Sequence, residues 1–401
     1  MKQGSLSSPL CGKGVMGKSK SLICIRGFYF LYFGAVGCLF PYLNLYYQRV
    51  GLTGLQIGVL SAIAALVTQL ASPLWGMLGD SHTLHRTLLS VAVGGTIIPA
   101  LLLSVGNVLS WLGPVTFVYA FFFGPITPLV DSTALEVAEA SHRSYGELRA
   151  WGTIGFIVSA LAIGRIIEVT NLKVLFPGYV LFMLGSLALS LCLPQRRRRW
   201  RGAGIRGLSV LLADRAFLLF LASVFLLAAA MRAANAFFAL YLDAIGAGEG
   251  LVGLSWALAA LSEVPVVFFS RVLLGKLSAR GLFAVGFAVY ALRWLLYSQI
   301  TSPGMILATQ LLHGLSYGAY LVAGVVYTSE RAPEGLGATA QGLFSGTTMG
   351  LAGMVGALIG GWLYDRAGVA NLFRLCSLAA AFALVIFLFS PRAKPELASN
   401  E

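Results

Sequence analysis

Twelve long apolar runs constrain this chain more than any other feature. They lie at about 25–48, 55–79, 87–105, 109–131, 147–167 and 172–193, then at about 216–242, 250–275, 281–299, 304–328, 337–363 and 370–390. Each is close to or above the roughly 20 residues an α-helix needs to cross the hydrocarbon core of a bilayer. The chain is 58% hydrophobic and only 11% charged, whereas soluble domains carry about 25% charged residues. Continuous runs, in place of ten-residue alternating ones, exclude a β-barrel. The expectation is an all-α membrane protein of twelve transmembrane helices, with 47 glycines available for close helix packing.

The net charge of +13 does not mark a nucleic-acid-binding protein, because its placement is that of topology signals. The runs divide the chain into a basic tail (1–24), a six-helix half (25–193), a linker (194–215), a second six-helix half (216–390) and a short tail (391–401). The linker carries Arg196 to Arg199, Arg201 and Arg206. With both termini and the linker in the cytoplasm, roughly nineteen Lys/Arg fall inside and about five outside, which satisfies the positive-inside rule. A multi-pass protein of the cell (inner) membrane follows as the expectation.

In the tail, Gly12 to Ser19 spells GKGVMGKS, which fits the phosphate-loop pattern. That loop works only between a buried strand and a helix; here no strand precedes it and a span follows at once, so no nucleotide is expected. Met16 is an alternative start that would erase the match. The run after Ile25 is too long for a signal peptide and lacks its cleavage site. The five cysteines are scattered, without metal spacing or a disulfide framework, and no metal or cofactor is expected.

The two halves resemble each other. Leu45-Tyr46, Gly51 and Gly58 recur as Leu240-Tyr241, Gly246 and Gly253 at an offset of 195. Gly164 and Glu168 recur as Gly361 and Asp365 at an offset of 197. Parallel half-repeats of this kind place a substrate site between the halves near mid-membrane.

Few ionisable residues interrupt the spans, and each needs a reason, since a charge inside a bilayer costs about 2.5–3.5 kcal/mol on insertion scales. Asp131 ends the fourth run and Arg149 begins the fifth. On adjacent antiparallel helices they can pair across the interface, or lie solvated in the loop between. In the second half stand Glu263 in the eighth run, Arg293 in the ninth and His313 in the tenth, with Ser316 and Tyr317 on the histidine's face. Arg232 and Asn235 share a face of the seventh run, and Asn44 sits late in the first. A carboxyl that takes up and releases a proton beside an Arg that engages substrate is the physical core of coupling. A packing histidine at 313 and a structural partner for Arg232 are the plainer readings.

These residues resemble the major facilitator superfamily of secondary transporters. Gly76-Met77-Leu78-Gly79-Asp80 with Arg86 is similar to its loop motif after the second span, with Ser81 where a basic residue is usual. Within the superfamily the chain looks most like the phenylpropionate-permease-like branch and its relatives, the oligosaccharide–proton symporters of the lactose permease type. The segments PLVDSTAL, YGELRAWGTIGF, SEVPVVFFS, ALRWLLY, QLLHGLSYG and GGWLYDRAG carry the resemblance over nearly the whole chain. It implies that Asp131 and Arg149 occupy the substrate-binding carboxylate and its partner Arg, and that Arg293 and His313 belong to the proton-coupling region. The departures are Ser316 in place of a coupling Glu, Ala260 in place of an acid with Glu263 one turn further, and Phe156 in place of a sugar-stacking Trp.

The resulting reading is a secondary active transporter, not an enzyme, moving a small organic solute by proton symport with alternating access. Glu263, Arg293 and His313 are assigned to proton coupling, and Asp131, Arg149, Asn44, Phe156, Asn235 and Tyr317 to substrate or gating. The substrate leans toward an aromatic or other monocarboxylate, with a sugar or nucleoside as alternative. A proton-antiport exporter, a multi-span membrane enzyme and a non-transporting sensor are the competing functions.

Overall fold

The computed structural model describes residues 18–82, 84–195 and 207–391. The phosphate-loop-like run up to residue 17, the arginines of 196–206 and the tail beyond 391 lie outside the described residues. Of the loop motif's Gly79, Asp80 and Ser81 only the helical backbone is described.

Six apolar helical stretches form the first half: Ser19–Arg49, Gly54–Leu78, His85–Leu103, Leu109–Ser141, Tyr145–Val169 and Leu172–Leu191. The second half has Arg215–Ala244, Glu249–Phe268, Ser270–Tyr297, Pro303–Arg331 and Gly337–Phe389. The last is 53 residues long, or about 80 Å at 1.5 Å per residue, more than twice the hydrocarbon thickness. Gly368 interrupts it with φ 77°, a left-handed conformation glycine adopts freely. Two crossings result, the eleventh and twelfth spans, so twelve apolar spans and no strand occur among the described residues. The first helix begins at Lys18, within the stretch read from sequence as tail. Ser278, with φ 59°, separates a short connecting helix from the ninth crossing proper.

Among the described residues four spans are irregular, and two of them, the fourth and the tenth, carry the ionisable residues Asp131 and His313. The first breaks between Leu39 and Leu43 around Pro41. The fourth breaks at Gly124-Pro125, just before the turn bearing Asp131, as expected where proline cannot donate its backbone bond. The tenth holds a π-helical turn, Gly314–Gly318, directly after His313, and the eleventh another at Gly346–Leu351. Insertions of this kind recur at functional sites because they re-aim side chains within a helix.

Glycine spacing sets how closely the halves meet. At the membrane face opposite the termini, a side chain on Gly58 would meet the Ala357 carbonyl oxygen, and one on Gly361 would strike the backbone of Gly54. On the other pair, Gly164 meets Glu249 and Gly250, and Gly253 meets Ala160. Toward the terminus-bearing face the second and eleventh spans diverge: Gly76, Gly337, Gly342 and Gly346 have nothing within 4 Å. The halves are thus closed at one face and spread at the other, and the repeated residues Gly58/Gly253 and Gly164/Gly361 form the closure.

Candidate functional site

Two carboxylates lock that closure, and both belong to the repeat. Asp365 accepts hydrogen bonds from the backbone N–H groups of Gly54 and Leu55, each 2.7 Å. Glu168 accepts from the Gly250 N–H at 3.0 Å. Each acid, at the end of one half's helix, caps the N-terminus of a helix from the other half, where unsatisfied donors and the helix dipole favour negative charge. Arg49 adds an exposed ion pair to Asp243, of small weight in water. Asp365→Ala is expected to loosen the closed face by about 1 kcal/mol, the usual weight of a lost cap. Ser61 lines the cavity below this face; in a background without native cysteines, alkylation of Ser61→Cys from that face should then speed up several-fold, and an unchanged rate would leave the cap without a gating role.

Beneath the closure lies a cavity of about 400 Å³ between the halves, lined among others by Asn44, Thr68, Gln69, Tyr119, Arg232 and Asn235. Asn44 also donates to the Ala236 carbonyl at 2.9 Å, tying the first span to the seventh. Phe156 and Tyr317 do not line this cavity. Phe156 is half-buried in the fifth span, and Tyr317 stacks on His313 with ring centroids 5.4 Å apart.

Glu263, His313 and Arg293 form one buried chain. His313 Nε2 lies 3.0 Å from Glu263 Oε1, and His313 Nδ1 lies 2.7 Å from Arg293 Nη1. Arg293 is completed by Gln310 at 3.0 Å and Tyr297 at 2.8 Å, with Ser316 at 3.4 Å. A guanidinium can only donate, so Nδ1 must accept, and the neutral imidazole carries its proton on Nε2, where it donates to Glu263. The positive charge of Arg293 is thereby answered, through the ring, by the Glu263 carboxylate. Protonating Glu263 removes that answer and leaves one uncompensated positive charge in a low-dielectric site. Glu263 keeps 27% side-chain exposure against 8% for His313, which makes the acid the accessible end of the chain.

Asp131 and Arg149 do not form the ion pair that their spacing suggested. Asp131 accepts instead from the Tyr29 hydroxyl at 2.7 Å, and the Arg149 guanidinium stacks over Phe33 at 3.8 Å and Tyr29 at 5.6 Å. The aromatic face of the first span separates them, so each keeps polar capacity for another partner. The structure joins Glu263, His313 and Arg293 to one another but pairs Asp131 and Arg149 with first-span aromatics, and none of the five is among the residues lining the cavity. Gln310 and Tyr297 were missed in the sequence, although Gln310 stands one turn from His313 and Tyr297 one turn from Arg293, where helical periodicity points. Tyr29 carries no comparable signal, being 102 residues from Asp131. No group of three potential metal ligands occurs among the described residues.

Two six-helix halves, closed on one face around a central cavity and with ionisable side chains held inside the spans, define a multi-pass secondary transporter that moves a small molecule and not an enzyme. The chain belongs to the MFS_1 like family, whose model matches residues 22–375. It is 30% identical over 367 residues to the maltose permease of Geobacillus stearothermophilus, covering 90% of this chain and 92% of that one. It is 27% identical over 345 residues to the probable 3-phenylpropionic acid transporter of Escherichia coli (strain K12), covering 85% and 90%. The putative nucleoside transporter YegT of the same organism is 25% identical over 355 residues, covering 82% and 81%. The fold matches the crystal structure of the nucleoside transporter NupG with TM-score 0.81 at 15% identity, over 93% of this chain and 98% of that one.

Proposed function

We propose that the protein is a proton-coupled symporter of a small organic solute, working by alternating access of the central cavity. The observation that carries this reading is the Glu263–His313–Arg293 chain. Its charge is balanced when Glu263 is ionised and carries one excess positive charge when Glu263 is protonated. A solute that interacts better with the proton-loaded cavity is bound more tightly with the proton than without it, and by linkage the proton is bound more tightly with the solute. Glu263 is the proton carrier, His313 holds it in place, and Arg293 sets the charge that couples it to the cavity. Asp131 with Tyr29, and Arg149 over Phe33, form the first half's contribution. Asn44 and Asn235 supply polar contacts within the cavity, and Tyr317 and Phe156 support the site from its edge. Both termini are placed in the cytoplasm of the inner membrane by the distribution of Lys and Arg.

Uptake into proteoliposomes tests the proposal, with maltose, 3-phenylpropionate and a nucleoside as probes because relatives carry those names. An imposed pH gradient, acid outside, should drive accumulation of one of them, and a protonophore should abolish it. Solute leaving as protons enter would identify an antiporter and overturn symport. Uptake indifferent to the gradient would overturn proton coupling.

A further inference from the structure

Arg232 is the cation of the cavity left without an oxygen partner. It stands on the seventh span one turn before Asn235, and both line the cavity. Its Nη2 donates to the thioether sulfur of Met349, and its buried Nε has no partner. No carboxylate lies within ion-pair distance of it among the described residues. A thioether is a weak acceptor, so this contact satisfies the guanidinium less well than an oxygen would. Arg293 differs, since His313, Gln310 and Tyr297 satisfy it. Met349 stands within the π-helical turn Gly346–Leu351.

We infer that Arg232, with Asn235 beside it, is the carboxylate-binding subsite of the transport cavity, and that the substrate is an organic monoanion with an apolar, ring-sized body. The planar guanidinium fork matches a carboxylate bidentately, and Met349 is the placeholder that the carboxylate displaces. Arg232 is the one Lys or Arg among the described residues lining the cavity, and a single guanidinium favours a monoanion over a phosphate dianion. The remainder of the lining, Leu39, Phe40, Leu60, Ala120 and Phe123 among others, offers apolar surface for the body. This inference rests on the transport reading of the same cavity, but it names a site the proton chain does not include.

Equilibrium binding to the purified full-length protein, at one pH and with no gradient, tests it. The probes are matched pairs of equal body and different charge: benzoate with benzyl alcohol, 3-phenylpropionate with 3-phenylpropan-1-ol, octanoate with octanol. At least one acid should bind tenfold or more tighter than its alcohol. Arg232→Gln should bring the two within about threefold of each other, and Arg232→Lys should fall between. Met349→Glu supplies a carboxylate in cis; it should raise the melting temperature and abolish the preference for the acid even if Arg232→Gln does not fold. No binding by any pair, alcohols binding as well as acids, or an acid preference that survives both Arg232→Gln and Met349→Glu would overturn the subsite. Glu263→Gln separates the two claims. Loss of gradient-driven uptake in that variant with Arg232-dependent binding kept supports both, whereas gradient-driven uptake indifferent to Arg232 sinks the subsite alone.

Discussion

Glu263→Gln is expected to abolish proton-driven accumulation while leaving exchange of solute across the membrane intact. Gln is close in shape to a protonated glutamate, and its carbonyl oxygen can still accept from His313 Nε2, now 3.0 Å from Glu263 Oε1. The variant is therefore frozen in the proton-loaded charge state, with the positive charge of Arg293 unanswered whether or not a proton is offered. A pH gradient of one unit drives at most about tenfold accumulation for one proton per solute, the factor that corresponds to 1.4 kcal/mol. In the variant that ratio should fall to unity, with counterflow of labelled against unlabelled solute preserved. Retained accumulation would move the proton to another group, with Asp131 next in line. Loss of counterflow as well would mean that the side chain is needed for the conformational change itself.

Gly58→Leu combined with Gly253→Leu is expected to hold the closed face open. A side chain on Gly58 would lie 2.5 Å from the Ala357 carbonyl oxygen and 3.3 Å from the Gly361 Cα. One on Gly253 would collide with the Ala160 carbonyl and the Tyr42 hydroxyl. Most of these obstacles are backbone atoms of the opposite half, which cannot rotate away, so the strain is relieved only by separating the halves. Overpacking of this kind costs about 1–3 kcal/mol per site. Together the two sites should shift the population toward the state open at this face by on the order of thirtyfold or more. Spin labels at Arg165 and Arg366, both exposed at this face and one on each half, would report a longer distance. An unchanged distance distribution would mean that these glycine contacts are not what holds the face closed. The double variant should also lose net transport, because alternating access requires both closures.

Much of this protein was legible in one dimension. The number of crossings, the two-half plan and the membrane setting follow from runs of apolar residues that have no other stable state: in a bilayer every backbone donor must be satisfied within its own segment, so each run becomes a helix. The repeat was equally legible, and its residues proved to be those at the closure. A glycine recurring at the same place in two halves marks a place where backbones meet. The ionisable residues could be singled out one by one, because a charge in a span always needs a reason.

Partnership was not legible, because hydrogen-bond partners are set by where helices cross and how side chains rotate. Asp131 and Arg149, close in sequence, are parted by the ring of Phe33 and the hydroxyl of Tyr29, while Glu263 and His313, 50 residues apart, lie in contact. Glu168 and Asp365 could be seen as a repeat, but their capping of opposite-half helices depends on the closure of the halves. The neutrality of the His313 ring follows from which nitrogen meets Arg293, a fact of geometry alone. The sequence by itself determined that this chain crosses the membrane in two related halves with a handful of charges inside. The tertiary structure decided which of those charges balance one another and which, at Arg232, is left facing the cavity with only a thioether. The physical reason is that burial in a bilayer is a property of local composition, whereas charge compensation acts over a few ångströms between residues that only the packing brings together.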